Sequence, residues 1–107
     1  MIDDTRRAEA ERHLRQAIEE GARAVRDGNT PYGAVLVAPD GTVAATGRNQ
    51  TVEQHDPSSH AELNAVRDAC RELGTLTLPG YRMYASGQPC PMCMTAMISV
   101  GLAEVWY

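Results

Sequence analysis

Two short stretches of this chain carry residue types that bind metal ions and move protons. The first is His60-Ala61-Glu62, and the second is Pro89-Cys90-Pro91-Met92-Cys93. One imidazole and two thiolates form a ligand set that suits a tetrahedral zinc ion, whose fourth position is then left for water. The spacing therefore predicts a zinc site made by His60, Cys90 and Cys93.

Glu62 is too close to His60 in the sequence to be a comfortable fourth ligand, so we expect it to have a different role. Zinc lowers the pKa of a bound water to about 7, and the resulting hydroxide is a nucleophile at neutral pH. A neighbouring carboxylate can pass the remaining proton to a ring nitrogen and later to departing ammonia. These residues predict hydrolytic deamination of an amidine-like carbon in a heterocycle, with Glu62 as the proton shuttle.

The same residues also have simpler explanations. Cys90 and Cys93 suit a structural zinc knuckle or a redox dithiol, although a structural zinc normally has four protein ligands and the sequence offers no evident fourth. His60 alone is typical of a surface histidine at a helix start, and Glu62 of an acidic residue favoured by a helix dipole. The zinc prediction depends on the two motifs occurring together.

Length and composition limit the class of protein. The chain has 107 residues, enough for one core, and we treat residues 1–107 as a single domain. Its net charge of −4 offers no overall attraction for a nucleic acid. No apolar run approaches the about 20 residues that cross a bilayer, and the charged N-terminus is unlike a secretion signal. Three cysteines, two of them in a C-x-x-C, indicate metal ligation in a reducing compartment, so we expect a cytoplasmic protein without membrane partners.

The first half of the chain predicts one helix and one hairpin. Apolar residues three and four positions apart predict a helix from about Arg6 to Asp27. The stripe expected to face the core consists of Leu14, Ala17, Ile18, Ala22 and Val25. His13 on this helix is expected to be an ordinary surface or edge histidine. Pro39-Asp40-Gly41 predicts an antiparallel hairpin between strands at residues 32–38 and 42–47.

The two motifs fall where later helices begin. Ser58 or Ser59 is expected to cap a helix from about His60 to Gly74, with Cys70 in the core. After a strand at residues 81–85, Pro89 favours a third helix that runs to about residue 100, with both motif cysteines on one face. A last strand begins at residue 104. This order predicts an α/β fold with three α-β-α layers, whose mixed sheet starts with an antiparallel hairpin and continues with parallel strands.

Four stretches carry a family resemblance, at residues 31–35 (PYGAV), 47–49 (GRN), 56–62 (DPSSHAE) and 89–93 (PCPMC). H-x-E followed by P-C-x-x-C is the signature of zinc deaminases that act on cytosine or adenine rings. Over essentially its whole length the sequence resembles the cytidine-deaminase-like superfamily. It is most similar to bacterial guanine deaminases and related free-base deaminases, and is also similar to bacterial tRNA adenosine deaminases.

The resemblance implies roles that the pattern alone leaves open. It implies zinc on the histidine and two cysteines, with Glu62 as the shuttle. It also implies base binding by the Asn49 side chain and by the Ala61 backbone, whereas the sequence alone favours a turn role for Asn49. It further implies a homodimer. Relatives usually have Glu where this chain has Gln88, and they continue past the fourth strand with another strand and helices, so we expect this chain to lack that C-terminal part.

Together these features predict zinc-dependent hydrolytic deamination of a free nucleobase or related small heterocycle. Guanine is the first candidate, which would place the protein in purine metabolism, and cytosine or isocytosine follow. The negative charge favours a small neutral substrate over a polynucleotide. Two alternatives stay open: deamination of adenosine or cytidine in tRNA or single-stranded DNA, and an inactive zinc-stabilised structural module derived from a deaminase.

Overall fold

The computed structural model describes residues 3–107, so the first two residues of the predicted domain lie outside the described range. Within residues 3–107 there are four helices and four strands. The helices are α1 (Asp4–Arg26), α2 (Thr51–Gln54), α3 (Ala61–Leu73) and α4 (Pro91–Ser99). The strands are β1 (Gly33–Val37), β2 (Val43–Arg48), β3 (Arg82–Ala85) and β4 (Glu104–Trp106). The one-turn helix α2 was not predicted, because a single turn has no apolar periodicity.

The strands form one mixed sheet in the order β2-β1-β3-β4. β1 pairs antiparallel with both β2 and β3, and β3 pairs parallel with β4. The predicted hairpin joins β1 to β2, where Asp40 Oδ1 accepts a hydrogen bond from Thr42 N at 3.0 Å. Helix α4 connects β3 to β4, as a parallel pair requires a crossover. The predicted mixed α/β sheet is confirmed.

Helices cover the two faces of this sheet. Ala34, Leu36 and Met83 pack in one cluster with residues of α3 and α4. Val35, Val37 and Tyr84 alternate with them along the strands and pack against α1 in a second cluster. All five residues of β1 are buried because the strand is covered on both faces. The predicted three-layer α-β-α arrangement is therefore confirmed.

The predicted core stripe of α1 is wrong in part. Ala17 is buried as expected, but Ile18 and Val25 are 59% and 53% exposed. The helix instead turns a face of mostly small residues toward the sheet, namely Ala10, His13, Ala17, Glu20, Gly21 and Ala24. Within residues 3–107 no helix is long and apolar enough to span a membrane.

Close contact between α1 and β1 explains which helix face is buried. A Cβ atom added at Gly33 would lie 2.1 Å from the Ala17 carbonyl oxygen and 2.5 Å from the Gly21 nitrogen. One added at Gly21 would lie 2.9 Å from the Pro31 carbonyl oxygen. The two backbones touch, so only small side chains fit between them, and the branched residues face outward.

His13 is buried, which makes the surface prediction for it wrong. It is 4% exposed, and its ring lies 4.9 Å from the ring of Tyr84. Neither ring nitrogen has a hydrogen-bond partner among the described residues. The nearest carboxylate, Glu9, lies 3.8 Å from Nε2 and is held by Arg82 at 2.9 Å. Burial lowers the pKa of His13, nearby Arg12 lowers it further, and Glu9 opposes both.

We expect His13 to make the stability of the fold pH-dependent. Histidine in an unfolded chain titrates near pH 6.5. Because the folded pKa is lower, the unfolded chain binds protons more tightly, so the free energy of unfolding falls as the pH drops below about 6.5 toward the folded pKa. His13→Leu removes this term. Denaturant unfolding of both proteins at several pH values between about 7 and 5 should show the variant gaining relative stability as the pH falls.

The difference between the two proteins is the relevant quantity, because any pH dependence that both proteins share cancels in it. A stability difference that stays constant across this pH range would contradict the assignment of a neutral, buried His13.

Candidate metal centre and active site

His60 lies immediately before helix α3. It is the N-cap residue, with extended backbone angles of φ −82° and ψ 154°, and its side chain makes no capping hydrogen bond. The prediction that Ser58 or Ser59 caps this helix is wrong. The Ser59 hydroxyl is buried and donates to Gln54 Oε1 at 2.8 Å, so it holds the preceding loop instead. The first turn of α3 therefore has no serine cap, and His60 stands at its entrance.

Cys90 occupies the equivalent position before helix α4. Its sulfur accepts a hydrogen bond from Cys93 N at 3.5 Å, so the cysteine itself caps the helix. The helix-starting proline is Pro91 and not Pro89 as the sequence suggested. Cys93, in the first turn, is buried. The predicted placement of both sulfurs at the start of this helix is confirmed.

The three predicted ligands lie together. His60 Nδ1 is 3.5 Å from Cys90 Sγ and 3.6 Å from Cys93 Sγ, and the three atoms lie within 4.8 Å of one another. In a tetrahedral zinc site the bonds are about 2.0–2.1 Å to nitrogen and about 2.3 Å to sulfur. A nitrogen and a sulfur bound to the same zinc are then roughly 3.6 Å apart. Within residues 3–107 this is the only cluster of three such ligand residues. Donor chemistry and spacing both fit zinc.

The acidic groups at this centre are unfavourably buried. Burial raises the pKa of the Cys93 thiol, and the neighbouring Glu62 carboxylate raises it further. Burial also raises the pKa of Glu62, against the opposing effect of its contact with Cys93. A cation between the ligands favours the thiolate form and offsets the cost of burying negative charge.

A cleft of about 590 Å³ opens at the metal centre. Its lining consists of Thr30, Tyr32, Asn49, Thr51, His60, Ala61, Glu62, Gly87, Gln88 and Cys90. The structure thus brings five of the six predicted site residues to the cleft wall, and the sixth, Cys93, is buried against His60. A Cβ atom at Gly47 would lie 2.1 Å from the Ala61 carbonyl oxygen, so this glycine lets β2 approach the start of α3.

The side-chain amide oxygen of Asn49 is already hydrogen-bonded within the chain. Its Oδ1 accepts hydrogen bonds from Thr51 N at 3.1 Å and from Thr51 Oγ1 at 2.9 Å. The backbone N–H donor fixes which amide atom is the oxygen. The residue is buried, and its Nδ2 makes no hydrogen bond to the part of the chain that the structure describes. Asn49 therefore has an amide N–H₂ group left for a ligand acceptor in the cleft.

Sequence reasoning missed several cleft residues. Tyr32 precedes β1, and its Cε1 would be 3.3 Å from a Cβ atom at Gly87, so the small glycine leaves room for the ring. Thr51 follows Asn49 by two residues, a spacing typical of an asparagine turn that could have indicated it. Asp56, before the histidine motif, is absent from the lining and accepts hydrogen bonds from Ser58 N and Oγ.

The chain matches the family model described as the cytidine and deoxycytidylate deaminase zinc-binding region over residues 7–107. It is 38% identical to guanine deaminase of Bacillus subtilis over 98 residues, which cover 91% of this chain and 62% of that protein. It is also 38% identical to the tRNA-specific adenosine deaminase of Aquifex aeolicus over 92 residues, covering 86% of this chain and 60% of that one.

A solved structure shows the same fold. The X-ray structure of Bacillus subtilis guanine deaminase superposes with a TM-score of 0.86 at 38% identity, covering 91% of this chain and 62% of that chain. The chain thus spans about 60% of the length of the curated relatives it matches.

We expect Cys90→Ser to lose zinc. Changes to groups that merely support ligands weaken metal binding by about 10- to 100-fold, so loss of a direct thiolate should exceed that range. Because bound metal stabilises the fold, the melting temperature should fall as well. Zinc per chain and melting temperature of the purified variant measure both effects.

Cys70→Ser is the matched control. Cys70 is a free, partly buried cysteine on α3 outside the ligand cluster, so its loss should leave zinc stoichiometry unchanged. Full zinc retention by Cys90→Ser, or equal zinc loss in both variants, would contradict the ligand assignment.

Proposed function

Because this chain belongs to the cytidine and deoxycytidylate deaminase zinc-binding family, we propose that it deaminates a free nucleobase, with guanine as the first candidate. Zinc is the cofactor of this family, and its members are hydrolases of C–N bonds. The choice of a free base is supported by the cleft, because no lysine or arginine is present among its lining residues in the described chain. A base within a nucleic acid carries backbone phosphates to the site, and proteins bind these phosphates with cationic side chains. A cleft whose described lining has no lysine or arginine suits a neutral ring.

The chain's own residues supply binding and proton transfer. Zinc held by His60, Cys90 and Cys93 would lower the pKa of a water molecule and so supply a nucleophile at neutral pH. Glu62, buried beside the cleft, takes the proton released from that water and gives it to a ring nitrogen. Glu62 then takes the second proton, from the hydroxyl added at the amino-bearing carbon, and delivers it to the amino group, so that the carbonyl forms, the C–N bond breaks and ammonia leaves.

Asn49 orients the ring in this proposal. Because its oxygen is bonded to Thr51, it acts as a donor through Nδ2 and selects a substrate acceptor such as a ring nitrogen or carbonyl. Ala61 contributes through its backbone at the cleft wall. Cytosine and isocytosine also offer acceptors beside an amidine carbon, and they are the next candidates.

Deamination of adenosine in tRNA is the second candidate function. It is supported by the relative with that function, whose identity to this chain equals that of the guanine deaminase. Homodimer formation and a cytoplasmic location stay predictions.

We expect the zinc-loaded protein to release ammonia from guanine. A panel of guanine, cytosine, isocytosine, adenine, guanosine and a tRNA anticodon stem-loop, scored for ammonia, tests the choice directly. Because the described cleft lining has no lysine or arginine, we expect activity on a free base and none on the stem-loop. Release from RNA alone would overturn the free-base proposal, and release from none of these compounds would favour the inactive zinc-stabilised module.

Glu62→Gln is the control for the catalytic assignment within this panel. General acid–base catalysis typically contributes about 10²- to 10⁴-fold, so kcat should fall by at least about 100-fold with zinc content unchanged. Glu72→Gln, at the exposed end of the same helix, should keep full activity.

Asn49→Ala should raise the KM for the base while zinc stays bound. Loss of one neutral hydrogen bond is worth about 1 kcal/mol, which corresponds to roughly fivefold. Asn49→Asp keeps an oxygen for Thr51 but has no amide donor, so it separates donation to substrate from support of the loop. Steady-state kinetics with zinc analysis measures both variants, and unchanged kinetics would remove Asn49 from the site.

A further inference from the structure

The short helix α2 lies between Asn49 and the zinc-ligand helix α3. It has four residues, Thr51–Gln54, and its own N-cap residue, Gln50, makes no side-chain capping bond. A single helical turn is unstable in water, because nucleation fixes several residues for few hydrogen bonds. Contacts from elsewhere in the fold must therefore hold α2 in place.

Asn29 provides such contacts from the loop between α1 and β1. Its Oδ1 accepts hydrogen bonds from Val52 N at 3.1 Å and from Glu53 N at 3.0 Å. Its Nδ2 donates to Glu53 Oε1 at 2.9 Å. Two otherwise orphaned N–H groups of α2 are thus capped by a residue more than 20 positions away.

Asn29 is itself well anchored. It is 7% exposed, and its backbone nitrogen donates to the Ala24 carbonyl oxygen near the end of α1 at 2.8 Å. It is absent from the cleft lining, so any effect on substrate must pass through other residues. Its position ties the first turn of α2 to the end of the long helix.

Asn49 depends on the same turn. Both hydrogen bonds that hold its Oδ1 come from Thr51, the first residue of α2, and the capped residue Val52 follows directly. The position of this turn therefore sets where the Asn49 oxygen is held, and with it where Nδ2 points. The connection runs from α1 through Asn29 and α2 to the cleft.

We infer that Asn29 is a positioning residue, which caps α2 and thereby fixes the Asn49 amide for ligand contact. The ligand half of this inference rests on the proposed function, in which Asn49 binds the base. The structural half, that Asn29 orders α2 and the Asn49 side chain, stands on hydrogen bonds within the chain.

The pair of Asn29 and Glu53 allows an exchange test. Asn29→Ala removes the whole cap. Asn29→Asp keeps an oxygen for the two backbone N–H groups but places a carboxylate against Glu53. In Asn29→Asp with Glu53→Gln, the glutamine amide donates to the aspartate, so the same contact forms with donor and acceptor reversed. If Asn29 acts through this contact, ligand binding should weaken in Asn29→Ala and Asn29→Asp and recover in the double variant.

Two readouts follow these variants in the zinc-loaded full chain. The first needs no ligand: hydrogen exchange of the Val52 and Glu53 amides, and NMR signals of the Asn49 side-chain N–H₂ group. The second is the Kd for guanine in a Glu62→Gln background, where turnover is suppressed. Asn29→Ala should speed exchange, shift the Asn49 signals and raise Kd about fivefold, as expected for a lost cap. Asn29→Asp should change all three in the same direction, because repulsion between its carboxylate and Glu53 displaces the capping oxygen. Zinc content should not change, and the double variant should return Kd to within about twofold.

A double-mutant comparison separates positioning from general stability. If Asn29 acts through Asn49, then Asn29→Ala should have no further effect on Kd in an Asn49→Ala background. An equal loss in both backgrounds, unchanged Asn49 signals in Asn29→Ala, or no recovery in a folded, zinc-loaded double variant would overturn the inference. If no protein of the series binds guanine, including the Glu62→Gln protein with Asn29 intact, while the Asn49 signals still respond to substitution of Asn29, the substrate proposal fails and the positioning role holds.

Discussion

Two acidic side chains are packed together in the interior at the start of helices α3 and α4. Cys93 and Glu62 are buried next to each other, and burial raises the pKa of both because neither can ionise cheaply away from water. Ionising both groups would place two neighbouring negative charges in the interior, which a cation would offset, and the spacing of His60, Cys90 and Cys93 fits zinc. Metal binding and folding are therefore linked at this site, since the same burial that excludes solvent creates the need for positive charge.

The rest of the fold brings the ligands to this point through close backbone contacts. His60 and Cys90 each stand at the entrance of a helix, in the extended conformation of an N-cap residue. The two helices lie on the same face of the sheet, within one apolar cluster. Gly33 and Gly47 have no room for a side chain, because one lies against α1 and the other against the first residue of α3. The Gly47 contact sets how closely β2 approaches the helix that His60 begins, and the Gly33 contact does the same for α1 on the other face of the sheet.

Local patterns predicted the parts of the molecule that depend on neighbouring residues. The H-x-E and P-C-x-x-C motifs gave the ligand cluster, and turn residues gave the hairpin, because each needs only a few positions of sequence. The core face of α1 was wrong because Gly33 on another element decides which helix face fits. His13 and Asn29 were misjudged or missed for the same reason: their environments are made by residues far along the chain, such as Tyr84 and Glu53.

In the proposed function, the residues that carry out the reaction and the residues that select the substrate lie on different parts of the fold. The proposed zinc ligands and proton shuttle lie at the N-caps and first turns of α3 and α4, two helices that pack into the core. The residues that would contact a ring lie on connecting segments: Asn49 after β2, Tyr32 before β1 and Gln88 after β3. Loops change more readily than packed helix starts, so one rigid metal centre can serve relatives with different substrates. The chain is equally identical to a guanine deaminase and to a tRNA-specific adenosine deaminase, so the loop residues at the cleft are where the choice of substrate has to be tested.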